Sequence, residues 1–140
     1  MINDISLKLK QGQYLELEEM IKEMNVSKIQ DILINIAYET GNINIYAFIV
    51  YMFRKSNGIE WLKLAIDIMN GPLCFIEGAY SIALFHTREL LNIDRNVANL
   101  EKILFFYNIP EKLIDSSEAY CIAEEILNIE SDNEIALQIK

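Results

Sequence analysis

Apolar residues return at three- and four-residue spacings through most of this chain of 140 residues, the signature of amphipathic helices. Ile2, Ile5, Leu7 and Leu9 open the pattern weakly, with Gly12 as an interruption. Leu15, Leu17, Met20, Ile21 and Met24 then predict a helix over about 13–24. Ser27 stands where an N-cap hydroxyl would accept from the amides of a first turn, and Ile29, Ile32, Leu33, Ile36 and Ala37 form the core face behind it. Gly41 fits the position just past that helix, where a left-handed backbone suits glycine.

Asn42 or Asn44 caps the next element, a helix over about 43–56 that is apolar nearly all round, a pattern that predicts burial between neighbours. Asn57-Gly58 marks a turn, and Ile59, Leu62, Leu64, Ala65, Ile66 and Met69 carry a helix to the break at Asn70-Gly71-Pro72. Further helices are predicted over about 73–92, from Asp94 to about Asn108, from Ser116 or Ser117 to about 129, and briefly after Asp132. Gly78 falls inside the first of these. There it would cost about 1 kcal/mol against Ala, which points to close packing beside Tyr80.

Segments recur. Ala79-Tyr80-Ser81-Ile82-Ala83 returns as Ala119-Tyr120-Cys121-Ile122-Ala123, and Leu91-Asn92-Ile93-Asp94 as Leu127-Asn128-Ile129-Glu130. The two offsets differ by about one helical turn. Ala37-Tyr38 is a fainter third echo. Periods near 40 residues, each holding two helices, predict an all-α fold of stacked antiparallel helical hairpins, an α-solenoid of about 7–9 helices in a single domain over 1–140. The run from Ala123-Glu-Glu-Ile-Leu127 to Ala136-Leu137, within a match over 119–137, resembles the tetratricopeptide repeat where a second helix leads into the next first helix. Ser131 stands where that family has Pro, and its Trp and Gly-Tyr positions are missing, so the resemblance implies helical stacking (of the type HEAT repeats also show) and no binding residues.

Composition narrows the chemistry. Fifty-two per cent of the residues are hydrophobic and there are only five Gly and two Pro, which suits a helical core and excludes disorder. The longest apolar run, Ile45–Phe53, is far short of the roughly 20 residues that span a bilayer, and the N-terminus shows no signal peptide, so a cytoplasmic location is expected. Cys74 and Cys121 lie within apolar patterns and are expected to be buried free thiols. A single histidine, His86, cannot build a metal site with two separated cysteines, and it reads as a helix residue at the edge of the core. No phosphate loop or catalytic constellation is present. The expectation is a non-enzyme without metal or cofactor. Of the adjacent rings Phe105 and Phe106, about 100° apart on a helix, one is expected in the core and the other partly exposed.

Charge is the most uneven feature. The net charge is −9. Residues 111–140 hold eight acids against Lys112 and Lys140, a net of −6, while residues 1–110 net −3. Nucleic acid and anionic membranes are excluded as partners by this sign. Glu118, Glu124 and Glu125 share one predicted helix, and Glu130, Asp132 and Glu134 crowd the turn after it. These six are the candidate partner-binding residues, because concentrated like charge costs stability and a basic protein would relieve it.

In overall character the chain resembles the small acidic immunity proteins of bacterial toxin systems, and its Ile- and Asn-rich, Ala-poor composition fits a bacterium of low-GC genome. The resemblance implies an inhibitor that covers the basic groove of a nuclease-type toxin with carboxylates. The alternative is a helical-repeat scaffold that holds a peptide or a partner helix, with the acidic segment serving solubility. Neither reading fixes the partner's identity or the oligomeric state.

Overall fold

The computed structural model describes residues 2–139, which form nine α-helices and no strand. The helices gather into two compact units, one running to Ala79 and the other starting at Tyr80. Consecutive helices pack on one another, so the all-α, repeat-like architecture stands.

The first unit holds α1 (Ile2–Lys10), α2 (Tyr14–Ile21), α3 (Val26–Thr40), α4 (Asn44–Ser56) and α5 (Ile59–Asn70). Helices α4 and α5 form the tightest pair, α1 and α2 pack on each other and on α4, and α3 lies against α5. Helix α4 is less enclosed than its composition predicts. Ile45, Phe48, Ile49 and Met52 are buried, whereas Tyr46, Val50, Tyr51 and Phe53 are half-buried and Ala47 is exposed. The enclosed helix is α5, with Leu62, Leu64, Ala65, Ile66, Ile68 and Met69 all buried. At the centre of the unit Phe48 meets the rings of Tyr14, Tyr51 and Trp61 at centroid distances of 5.3, 6.1 and 6.2 Å. Hydrogen bonds tie the same region: the Tyr14 hydroxyl donates to Asn44 Oδ1, and the Asn44 amide donates to the Leu9 carbonyl.

The second unit holds α6 (Ala79–Ile93), α7 (Val97–Asn108), α8 (Ser116–Ile129) and α9 (Glu134–Ile139). Helix α8 is its axis, packing on both α7 and α9 through Ala119, Ile122, Ala123 and Ile126. Phe106 is fully buried, and Phe105 is half-buried with its ring 5.8 Å from Tyr80. The expected division between these two rings is therefore observed. His86 is buried at the edge of this core, with Nδ1 2.6 Å from Glu89 Oε1.

Helix α5 starts at Ile59 as predicted, whereas four other helices are capped by residues other than the predicted ones. Asn25, not Ser27, caps α3: its Oδ1 accepts from the Ser27 amide at 2.8 Å. Asn96, not Asp94, caps α7, and Asp115, not Ser116 or Ser117, caps α8. Asn133, not Asp132, accepts from the Ala136 amide at the start of α9. In each case an Asn or Asp side chain stands at the turn, where its oxygen meets an amide two or three residues on. The expected end of α3 is observed, since Gly41 has φ +62° and its amide donates to the Ala37 carbonyl.

The largest correction concerns residues 73–78, predicted as the first turns of a helix over about 73–92. They form successive turns, and the helix begins only at Ala79. Gly78 is the reason the chain can change direction there: its φ is +87°, and an added Cβ would meet nothing within 4 Å. It is a turn residue and not a packing residue. Both cysteines are exposed, not buried. Cys74 belongs to the 71–78 turns, and Cys121 points away from the buried Ala119–Ile122–Ala123–Ile126 face of α8.

Candidate functional site

The six acidic candidates separate into three places. Glu118 and Glu125 lie seven residues apart on one flank of α8, and each is held by an arginine, one within α6 and one just beyond it. Arg88 reaches Glu118 through Nη1 at 2.6 Å and Nη2 at 3.1 Å. Arg95 reaches Glu125 through Nε and Nη2, both at 2.8 Å. Both contacts are two-pronged, the geometry in which a guanidinium meets a carboxylate best. Both pairs advance seven residues in the same direction, so α6 and α8 run parallel along this seam. That is the relation expected of first helices in successive hairpins. The hydrogen bonds from Arg95 hold the Glu125 carboxyl below the usual carboxylate range, and Glu125 raises the Arg95 guanidinium in return. These two acids are therefore structural ties before they are anything else.

Glu124 lies exposed on the outer face of α8. The remaining three, Glu130, Asp132 and Glu134, are exposed around the α8–α9 turn. They line a shallow open depression together with Glu101 of α7, Asn133 and Ile135. Asn133 organises this turn. It is buried, its Oδ1 caps α9, and its amide nitrogen donates to Glu101 Oε2 at 2.8 Å and to Glu130 Oε1 at 3.2 Å. Among the described residues no Lys or Arg forms an ion pair with Glu101, Glu130, Asp132 or Glu134. The turn and Glu101 beside it thus gather four carboxylates, two of which, Glu101 and Glu130, share the Asn133 amide as donor.

Sequence reasoning missed two of these residues. Glu101 is a lone acid in the middle of α7 and becomes part of the site only through the packing of α7 on α8. Asn133 follows the more conspicuous Asp132. A signal for the ion-pair seam was present: Arg88 and Arg95 show the same seven-residue spacing as Glu118 and Glu125. The depression is also not purely polar, since Ile135, 42% exposed, lines it. Elsewhere on α8 and α9, Ile129 and Leu137 are exposed as well.

Among the described residues no three His, Cys, Asp or Glu side chains group to hold a metal ion, and no helix is long and apolar enough to cross a membrane. Comparison with family models, with curated proteins and with solved structures found no match.

Proposed function

We propose that the protein acts by binding a basic protein through the α8–α9 turn, as an inhibitor in the manner of an immunity protein that neutralises a nuclease-type toxin. The observation that carries this reading is the set of four carboxylates at Glu101, Glu130, Asp132 and Glu134 without an ion-pair partner among the described residues. Two other candidates, Glu118 and Glu125, are committed to arginines, so the charge offered to a partner is narrower than the sequence suggests. Carboxylates so arranged occupy the place of phosphates in a basic groove, and their attraction speeds encounter and weakens with salt.

The test compares the full chain with a triple variant, Glu130→Gln, Asp132→Asn and Glu134→Gln, each immobilised and exposed to extract of the source cell at low salt. Captured protein is identified by mass. The expected partner is basic, elutes with salt and is retained several-fold less by the variant, while the variant's thermal unfolding is nearly unchanged because the substituted residues are exposed. Co-expression with the captured protein's catalytic domain should then restore growth. A partner retained equally by both baits at low salt would sink the acidic-surface reading. The parallel seam of α6 and α8 favours one second reading, a repeat scaffold for a peptide; it predicts capture that ignores these three charges.

A further inference from the structure

The chain contains two Asn-Gly steps, Asn57-Gly58 and Asn70-Gly71, and every other asparagine is followed by a residue with a side chain. Such a step has a chemistry of its own. The backbone nitrogen that follows an asparagine can attack the side-chain amide carbon, and glycine, lacking Cβ, leaves that approach unhindered. The nitrogen gives up its proton to the medium and forms a bond to Cγ. The bond from Cγ to the side-chain nitrogen breaks, and ammonia leaves with a proton taken from water. A water molecule then opens the five-membered imide at either carbonyl, which gives aspartate or isoaspartate. One water is consumed, one ammonia is released, and nothing is oxidised or reduced.

The two steps are held in unlike ways. Asn70 ends α5, the enclosed helix, and its Oδ1 is buried. The Gly71 amide donates to the Asp67 carbonyl at 2.9 Å, and the Leu73 amide donates to the Ile68 carbonyl at 2.9 Å, with the Leu73 side chain fully buried. Freeing the Gly71 nitrogen therefore means unwinding the last turn of a helix whose apolar face is core. Asn57 instead stands exposed at the end of α4, in the left-handed conformation with φ +54°. The Gly58 amide donates to a side chain, the Ser56 hydroxyl, at 3.1 Å. That hydroxyl donates in turn to the Met52 carbonyl at 2.9 Å. An exposed serine thus does for Gly58 what helix backbone does for Gly71.

We infer that Asn57 is a modification site, converted in the folded protein to aspartate and isoaspartate by attack of the Gly58 nitrogen, with Ser56 restraining the reaction and α5 protecting Asn70. The isoaspartate product lengthens the main chain by one atom between α4 and α5, the most closely packed pair of the first unit. Either product places a carboxylate at the C-terminal end of α4, where the helix dipole is already negative.

Ageing the full chain in mildly alkaline buffer made with heavy-oxygen water tests this. Digestion with trypsin in ordinary water then isolates Asn57 on the fragment Ser56–Lys63 and Asn70 on Leu64–Arg88. Mass spectrometry should show Asn57 converted roughly tenfold faster than Asn70, with heavy oxygen incorporated and the two isomers eluting apart. In the chain unfolded by urea the two steps should convert at similar rates, since neither nitrogen is then held. Ser56→Ala should speed conversion at Asn57 several-fold and leave Asn70 unchanged, and Ser56→Thr, which keeps a hydroxyl, should restore the slower rate. Residue 56 is exposed, so both variants fold, and circular dichroism confirms it. Conversion of Asn70 as fast as Asn57 in the folded chain overturns the inference. So does a folded chain unconverted at Asn57 when the urea sample has gone to completion. An unchanged rate in Ser56→Ala overturns the restraint assigned to Ser56.

Discussion

The two units reach order by different chemistry. In the first, residues from α2, α4 and α5 converge as rings: Phe48 lies among Tyr14, Tyr51 and Trp61, and the polar atoms nearby serve that cluster. In the second, the core is aliphatic around Phe106, with Ala119, Ala123 and Ala136 fully enclosed, and the side-chain hydrogen bonds that join its helices come from guanidinium and amide groups. Arg88 and Arg95 reach α8 from outside, and Asn133 joins α7, the α8–α9 turn and α9. An aromatic cluster concentrates stability at one point, because one ring carries a large buried area. A seam of exposed ion pairs spreads small contributions along a surface and leaves that surface responsive to charge. The second unit is accordingly the one whose surface links answer most directly to pH and salt.

The largest test of this contrast is a matched pair of truncations. Phe48 and Phe106 are both fully buried, but among the described residues Phe106 meets one ring, that of Phe105, at 5.2 Å. Each Phe→Ala change is expected to cost about 3–5 kcal/mol, with Phe48 at the upper end because three rings lose their partner. Urea unfolding followed by circular dichroism measures both. A larger loss at Phe106 would reverse the comparison and place the denser core in the second unit.

Asn133→Ala comes next. It removes the cap of a six-residue helix and the amide that lies between Glu101 and Glu130. The loss of a buried cap is worth about 1–2 kcal/mol. Hydrogen exchange should show it first as loss of protection in α9, with the rings of the first unit undisturbed. Adding Glu130→Gln to Asn133→Ala should recover part of the loss by easing the repulsion with Glu101. If the double variant is no more stable than the single one, carboxylate repulsion is not what Asn133 holds in check.

Much of this was legible in the chain, and the failures have a common cause. Helices with a long one-sided stripe, such as the one around Ile29, Ile32, Leu33 and Ile36, were placed well because periodicity alone determines their buried face. Boundaries moved where two capping residues stood close together, as at Asn25 and Ser27 or Asp132 and Asn133, since composition does not say which oxygen reaches the amide. Residues 73–78 failed because Phe75, Ile76 and Ala79 mimic a helical stripe, while Gly78 in a left-handed conformation stops it; Phe75 proves to be exposed over Gly41. The site was half legible. Its acids could be counted, but Arg88 and Arg95, some thirty residues away, decide which of them are available, and only packing reveals that.

The smallest effect sharpens the contrast most, because each unit contains a carboxylate held below its usual range. In the first unit Glu18 is lowered by hydrogen bonds from the Tyr51 hydroxyl and from Lys55. In the second Glu125 is lowered by Arg95. A carboxylate with a depressed folded-state pKa contributes stability that is fully present above its ordinary value of 4.5 and is lost as pH falls through the lower folded-state value. Arg95→Ala is therefore expected to cost about 0.2–1 kcal/mol near neutrality, at the modest end because the two side chains remain 51% and 37% exposed. The difference from the unsubstituted protein should shrink as pH drops below that range, and it should also shrink in about 0.5 M salt, where surface charges are screened. Thermal unfolding of both proteins across pH 3–7 reads the convergence. Arg95→Lys should restore little, because an ammonium cannot reproduce the two-pronged contact with Glu125. A cost independent of both pH and salt would mean that Arg95 acts through the packing of its alkyl stem, and the seam between α6 and α8 would then be apolar in its energetics, like the first unit, and not electrostatic.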